Sequence, residues 1–238
     1  MCHDRSGEKA LCGIDKNAKL VFNLNTVKMK SSKKQKKVSR AYHHGDLRRV
    51  LIEEAARLGS REGVEALSLR RVAAAAGVSP AAPYHHFKNK SDLLAAVAEE
   101  GFRRLHGAMT RAVKGAQPGD VVNRLRGMGR AYVRFAVRNS HYFRVMFRPE
   151  LARAHEPDPE SWGQRTFSYL IAMIQEGMGE TGEPSDAIMK EALFAWSIVH
   201  GLSSLWIDGT VGVEEPYSGW GYEKLAEYVT ERADIGRV

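Results

Sequence analysis

SLRRVAAAAGVSPAAPYHHF, residues 68–87, leaves a folding chain few choices. Leu69, Val72, Ala73 and Ala76 recur at helical spacing, and Ser68 stands where a side chain can cap the first amides. Gly77 then breaks the helix, and it can take the positive backbone angle that a tight corner needs. Val78 is apolar and can plug that corner. Ser79 can cap the next element, with Pro80 at its first position, where no amide is required. Pro83 falls at the fourth position. It gives up one intrahelical hydrogen bond and disfavours helical geometry at Ala82, so the first turn is expected to be distorted. The pattern predicts two short helices joined at a corner, a helix-turn-helix, closed by Phe87 as a core residue.

The rest of the chain reads the same way. Strand signals are weak, and helical periods run from Asp46 onward. A first helix with Leu47, Val50, Leu51, Ala55 and Leu58 inward should end near Gly63. After the corner, Ser91 is expected to cap a helix from Asp92 to about Leu105. Further helices are expected at about 120–138, 141–147, 160–178, 185–208 and 222–232, separated by loops rich in Pro, Gly and Ser. The fold class is therefore all-α, with about nine helices. A three-helix domain over 41–106 precedes a helical domain over 107–238.

Charge is unevenly placed. Residues 1–40 carry 11 Lys/Arg against 3 Asp/Glu, and the remainder is balanced at 25 of each. The whole net charge of +8 therefore belongs to the amino-terminal arm. Within it KMKSSKKQKKVSR, residues 28–40, repels itself and buries little, so we expect a disordered tail. Such a tail would also seek phosphate. Cys2 and Cys12 cannot build a disulfide framework, and a reducing, cytoplasmic setting is expected. The first apolar run is short and its surroundings are charged, unlike a secretory leader. ALFAWSIVHGLSSLWI, residues 192–207, is the longest uncharged run and falls short of the roughly 20 residues that span a bilayer. No membrane partner is expected.

At the corner, small side chains have a use. Ala81 and Ala82 let the chain approach a double-stranded DNA groove closely, and a methyl group can contact thymine. Tyr84, His85 and His86 add polar tips, and Lys88 and Lys90 add positive charge.

SLRRVAAAAGVSPAAPYHHFKNKSDLL resembles the DNA-binding motif of the TetR family of one-component transcriptional regulators. The likeness covers about 44–105. A departure is Pro83, where many members carry Leu or another apolar residue. The resemblance implies phosphate contacts at Ser68, Tyr84 and Lys90, and base-edge contacts from about Pro80 to His85. No Arg, Asn or Gln lies within 80–85, so direct readout falls to His85 or to Arg70 and Arg71. Methyl contacts, DNA shape and the basic tail are then expected to carry more of the selectivity. FAWSIVHGLSSLWIDG is similar to a TetR C-terminal domain type named for its Trp…His-Gly signature, here Trp196, His200 and Gly201. We read these three as a packing motif, with Gly201 permitting close helix approach.

The resemblance implies a homodimer, since one helix-turn-helix reads few base pairs. The apolar 185–208 helix and the last helix are expected to form its four-helix interface. It also implies a small-molecule effector, hydrophobic by the character of the candidate lining: Tyr132, Phe135, Phe143, Met146, Phe147, Trp162, Phe167 and Met173. The chain has no Gly-rich phosphate loop, HExxH or GxSxG, so no enzyme, cofactor or metal site is expected. Cys2, His3 and Cys12 could hold a metal only within the tail. The alternative is an architectural nucleic-acid binder driven by the basic tail, without an effector.

Overall fold

Side-chain caps and breakers delimit eight α-helices and one short 3₁₀ helix among the described residues of a computed structural model. Those residues are 47–114, 117, 119–148, 158, 160–212 and 219–233. The basic arm over 1–40, with Cys2, His3 and Cys12, lies outside them. The helices are α1 (Leu47–Glu62), α2 (Leu69–Ala76), α3 (Lys90–Lys114), α4 (Val121–Arg138), α5 (Ser140–Met146), α6 (Trp162–Met178), α7 (Asp186–Ile207) and α8 (Tyr222–Arg232). None is long and apolar enough to cross a membrane.

Caps explain several starts. Ser68 accepts the Arg71 amide at 3.2 Å, Asp120 the Asn123 amide at 3.1 Å, and Ser161 the Gln164 amide at 3.3 Å. Buried Leu51, Ile52, Ala55, Ala56 and Gly59 form the inner face of α1, a stripe rotated slightly from the expected one. Val50 and Leu58 lie at its half-buried edge.

Two expected elements differ. Residues 80–87 do not form an α-helix: only Ala82–His85 is helical, and it is 3₁₀. Pro83 has no amide to return to Ser79, so the Ala82 and Tyr84 amides bond three residues back, to Ser79 and Ala81, at 3.0 and 3.1 Å. Ser79 therefore accepts through its carbonyl, and its side chain caps no helix. The next helix begins at Lys90, not Asp92. Asn89, not Ser91, supplies the cap by accepting the Asp92 amide at 2.9 Å, and Asp92 reaches back to the Lys88 amide at 3.2 Å. That helix also runs past Leu105 to Lys114, because Leu105, Met109 and Val113 continue its buried stripe.

One contiguous hydrophobic cluster runs from Leu51 to Ala226. α3 serves both ends of it, with Leu93 and Val97 facing the amino-terminal helices and Leu105 and Met109 facing the bundle. α4 is the central helix and touches α3, α5, α6, α7 and α8. α5 packs on α1 and α3 and joins the two halves.

Gly129 sets the closest approach in this core. A Cβ there would stand 2.7 Å from Thr230 Cγ2 and 3.3 Å from Val199 Cγ1. Thr230 is buried, β-branched and tied by its hydroxyl to the Ala226 carbonyl at 2.7 Å, so it cannot swing away. Gly129→Ala is expected to lower unfolding stability by about 1–3 kcal/mol, measured by urea denaturation; an unchanged midpoint would show that α4 and α8 have slack between them.

Candidate functional site

The corner after α2 is closed by backbone geometry. Gly77 takes φ 72°, and its amide bonds to the Ala74 carbonyl at 3.2 Å while that of Val78 bonds to Ala73 at 3.0 Å. This is a Schellman closure, with half-buried Val78 packed on the core. Pro83 and Phe87 are buried and anchor the segment from beneath. The guanidinium of Arg48 lies 5.5 Å over the Phe87 ring.

With the apolar residues turned in, the polar ones are left outside. Arg70, Ser79, Pro80, Ala81, Tyr84, His85, His86 and Lys88 are all exposed, and Ser68, Ala82 and Lys90 are half-buried. Tyr84 is 53% exposed, so packing covers about half of it and leaves the rest open to a partner. Two cations are already engaged. Arg71 donates to the Ala66 carbonyl at 2.7 Å and pairs with Glu62, and Lys90 donates to the Glu65 carbonyl at 2.9 Å. Glu65 in turn pairs with Arg148 at the end of α5. Its carboxyl is held below the usual range, first by a backbone hydrogen bond and then by Arg148.

The second feature is a cavity of about 1020 Å³ among α3, α4, α6, α7 and α8. Tyr132, Met146, Phe147 and Phe167 line it, together with Trp196. Phe135, Phe143 and Met173 are buried in the core and lie away from this wall. The Trp162 ring instead packs 5.4 Å from His106, under the Arg165 guanidinium. The wall also takes Phe102, Leu105 and Met109, although a helix ending near Leu105 would leave Met109 out. Their continuing i, i+3, i+7 spacing is the signal that could have found them.

Trp196 and His200, four residues apart on α7, meet the same hydroxyl. The Trp196 indole donates to Tyr132 Oη at 3.2 Å, and Tyr132 Oη lies 2.9 Å from His200 Nδ1. An indole N–H can only donate, so Tyr132 Oη accepts from Trp196, while the direction of its bond with Nδ1 follows the His200 tautomer. Burial pushes the Tyr132 pKa up. The His200 ring stacks among Tyr132, Phe143, Phe147 and Trp196, and burial holds its pKa below the ordinary value. Gly201 does not serve a close approach within the chain: a Cβ there would meet nothing within 4 Å. Its open side follows the α7 stripe of exposed Phe194 and Leu205. Among the described residues no group of His, Cys, Asp and Glu could hold a metal ion.

A histidine kept neutral by the fold costs stability when it must be charged. Its folded pKa is lowered, so the unfolded chain binds the extra proton and stability falls as pH drops through about 6.5. His106 and His141 are shifted the same way by burial. His200→Gln should flatten the fall in unfolding free energy between pH 7 and 5, by up to about one proton's worth of slope. An unaltered slope would mean that His200 titrates alike in both states.

Comparison with known proteins agrees with this geometry. Residues 51–97 match a family model described as "Bacterial regulatory proteins, tetR family", and residues 125–220 one described as "Tetracyclin repressor-like, C-terminal domain". Together they cover more than half of the chain. Over 72 residues the chain is 40% identical to the HTH-type nicotine-responsive transcriptional repressor HdnoR of Paenarthrobacter nicotinovorans. That match covers 30% of this chain and spans only 37% of the repressor's length. A solved protein of unknown function from Rhodococcus sp. RHA1 is 32% identical, with a TM-score of 0.62, over 81% of this chain and 95% of the other. The TetR family transcriptional regulator PfmR from Thermus thermophilus shares the fold at 23% identity, with a TM-score of 0.56, over 77% and 92% of the two chains.

Proposed function

This chain belongs to the TetR family of DNA-binding transcriptional regulators, which are not enzymes, and on that premise we propose that it is a cytoplasmic, effector-responsive repressor acting on a palindromic operator. The observation that carries the reading is the coexistence, along one continuous helix, of an exposed polar corner and a large apolar cavity. α3 begins beside the corner at Lys90 and lines the cavity through Phe102, Leu105 and Met109.

At the corner, Ala81 and Ala82 offer methyl groups to base edges, and His85 offers a hydrogen bond. Tyr84 and Ser68 reach phosphates. Lys90 spends one of its three donors on Glu65 and keeps the others for phosphate. Arg71 is held by Glu62 and Ala66, so exposed Arg70 is the better candidate for base or phosphate contact. His86 and Lys88 strengthen the positive rim.

Two such corners must be held about one helical turn of DNA apart. Met189, Leu193, Phe194 and Leu205 on α7 and Tyr228 on α8 are large, apolar and exposed, which supports burial against a second copy. The open side of Gly201 lets that copy come close. The effector is hydrophobic by the character of the cavity wall. It releases the operator only if it binds the released spacing better than the DNA-bound one.

Selection from a random DNA pool tests the reading directly. The expected product is one palindrome, recovered by the full chain and by a chain lacking residues 1–40, with binding weakened at all sequences by Tyr84→Ala and its base preference relaxed by His85→Ala. A pool without a preferred sequence, or loss of all binding with the arm, would favour a tail-driven architectural binder. Leu193→Glu should turn the dimer into a monomer by sedimentation, with helix content unchanged and operator affinity lost. A dimer that survives this change would place the interface elsewhere.

A further inference from the structure

We infer that the effector carries an acid group, a carboxylate on an apolar body, and that Arg126 is the residue that anchors it. The inference rests on the cavity being the effector site. Arg126 lies on the first turns of α4 and lines the cavity. Its Nε is shut off from solvent and has no hydrogen-bond partner. Its Nη2 reaches the Glu231 carbonyl only at 3.5 Å, the outer limit for such a bond. The other two arginines on the wall are engaged, Arg48 over the Phe87 ring and Arg148 with Glu65. Among the described residues Arg126 forms no ion pair with a carboxylate, although after the bonds from Asn123 its charge also helps to lower the Asp120 carboxyl. Asp120, at the start of the same helix, is taken up by Asn123 through bonds of 3.1 and 2.7 Å. A guanidinium on the wall of a largely apolar cavity, held by the protein through one long bond to the Glu231 carbonyl, is the complement of a carboxylate, which its fork can bind through two hydrogen bonds.

The position of the charge gives the ligand a direction. The first turns of α4 lie beside the last turns of α3, where a Cβ at Gly127 would sit 3.6 Å from the Ala112 carbonyl. The wall carboxylates of α3, Glu99 and Asp92, lie toward the other end of that helix, about 20 and about 30 Å from Ala112 by helical rise. Asp92, Glu99 and Asp158 each already accept a backbone amide, from Lys88 at 3.2 Å, Trp162 at 2.9 Å and Glu160 at 2.9 Å. Between the two ends the wall is apolar, with Leu105, Met109, Leu125 and Met128. An amphipathic acid fits this layout, head at Arg126 and tail toward Phe147 and Phe167.

The test separates charge from greasiness. A neutral fluorophore, N-phenyl-1-naphthylamine, is bound to the full chain and displaced with decanoate, decan-1-ol or decylamine. A purely apolar cavity prefers the alcohol, because an ionised head resists leaving water. An anchoring arginine reverses the order. Decanoate is expected to displace the fluorophore at least about tenfold more effectively than decan-1-ol. Arg126→Met should abolish that preference while still binding the fluorophore, and Arg126→Lys should restore part of it. Should Arg126→Met fail to fold, the wild-type order of the three probes still decides. Equal or weaker displacement by decanoate, a preference for decylamine, or a preference that survives Arg126→Met overturns the acid assignment and leaves the apolar effector cavity standing. A chain that does not take up the fluorophore at all overturns the cavity reading and this one with it.

Discussion

The continuity of α3 is the constraint on which the rest of the structure depends. Twenty-five residues without a break carry Leu93, Leu94 and Val97 into the amino-terminal core and Leu105, Met109 and Val113 into the bundle. A helix is stiff over this length, so the polar corner and the cavity share one rigid axis. α5 reinforces the junction. Tyr142 and Val145 are fully buried against α1 and α3, and the Arg104 guanidinium covers the Tyr142 ring at 4.6 Å while bonding Glu100 and Glu53. Displacement at one end of α3 therefore has few places to be absorbed before it reaches the other.

The residues around Phe147 show what such coupling would act on. Phe147 belongs to the cavity wall and also lines a smaller crevice against Gly59, Ser60 and Val64 at the end of α1, which His200 shares. Its neighbour Arg148 touches the cavity and holds Glu65, whose carbonyl holds Lys90. The Trp196–Tyr132–His200 chain closes the other side of the same aromatic group. A ligand large enough to move Phe147 would press on contacts that also position the loop before α2.

Much of the architecture is legible in the sequence. The extents expected for α4, α6, α7 and α8 agree with the structure to within two residues at each end, because their starts and stops carry local chemistry, as at Asp120, Ser161 and Ser185. Ser68 and Gly77 act as expected for the same reason. Pro83 is legible only in part. A distorted first turn follows from the missing amide, but its reduction to the four-residue 3₁₀ helix Ala82–His85 also reflects the burial of the Pro83 ring and of Phe87. Asn89 does not stand out as a cap because Ser91 is equally good on paper, and only the approach of the chain selects between them.

The sequence by itself determined the helical class, the corner at Gly77 and the polar residues that surround it. Each of these follows from backbone preference and from spacing along one helix, which need no neighbour. The tertiary structure alone decided which aromatic residues face the cavity and which fill the core, that Tyr132 joins Trp196 to His200, that Gly201 looks outward, and that Arg126 keeps an unpaired edge inside. Those outcomes depend on how each helix is rotated about its own axis and how near its neighbours come. Periodicity supplies a face, but only packing supplies what that face meets.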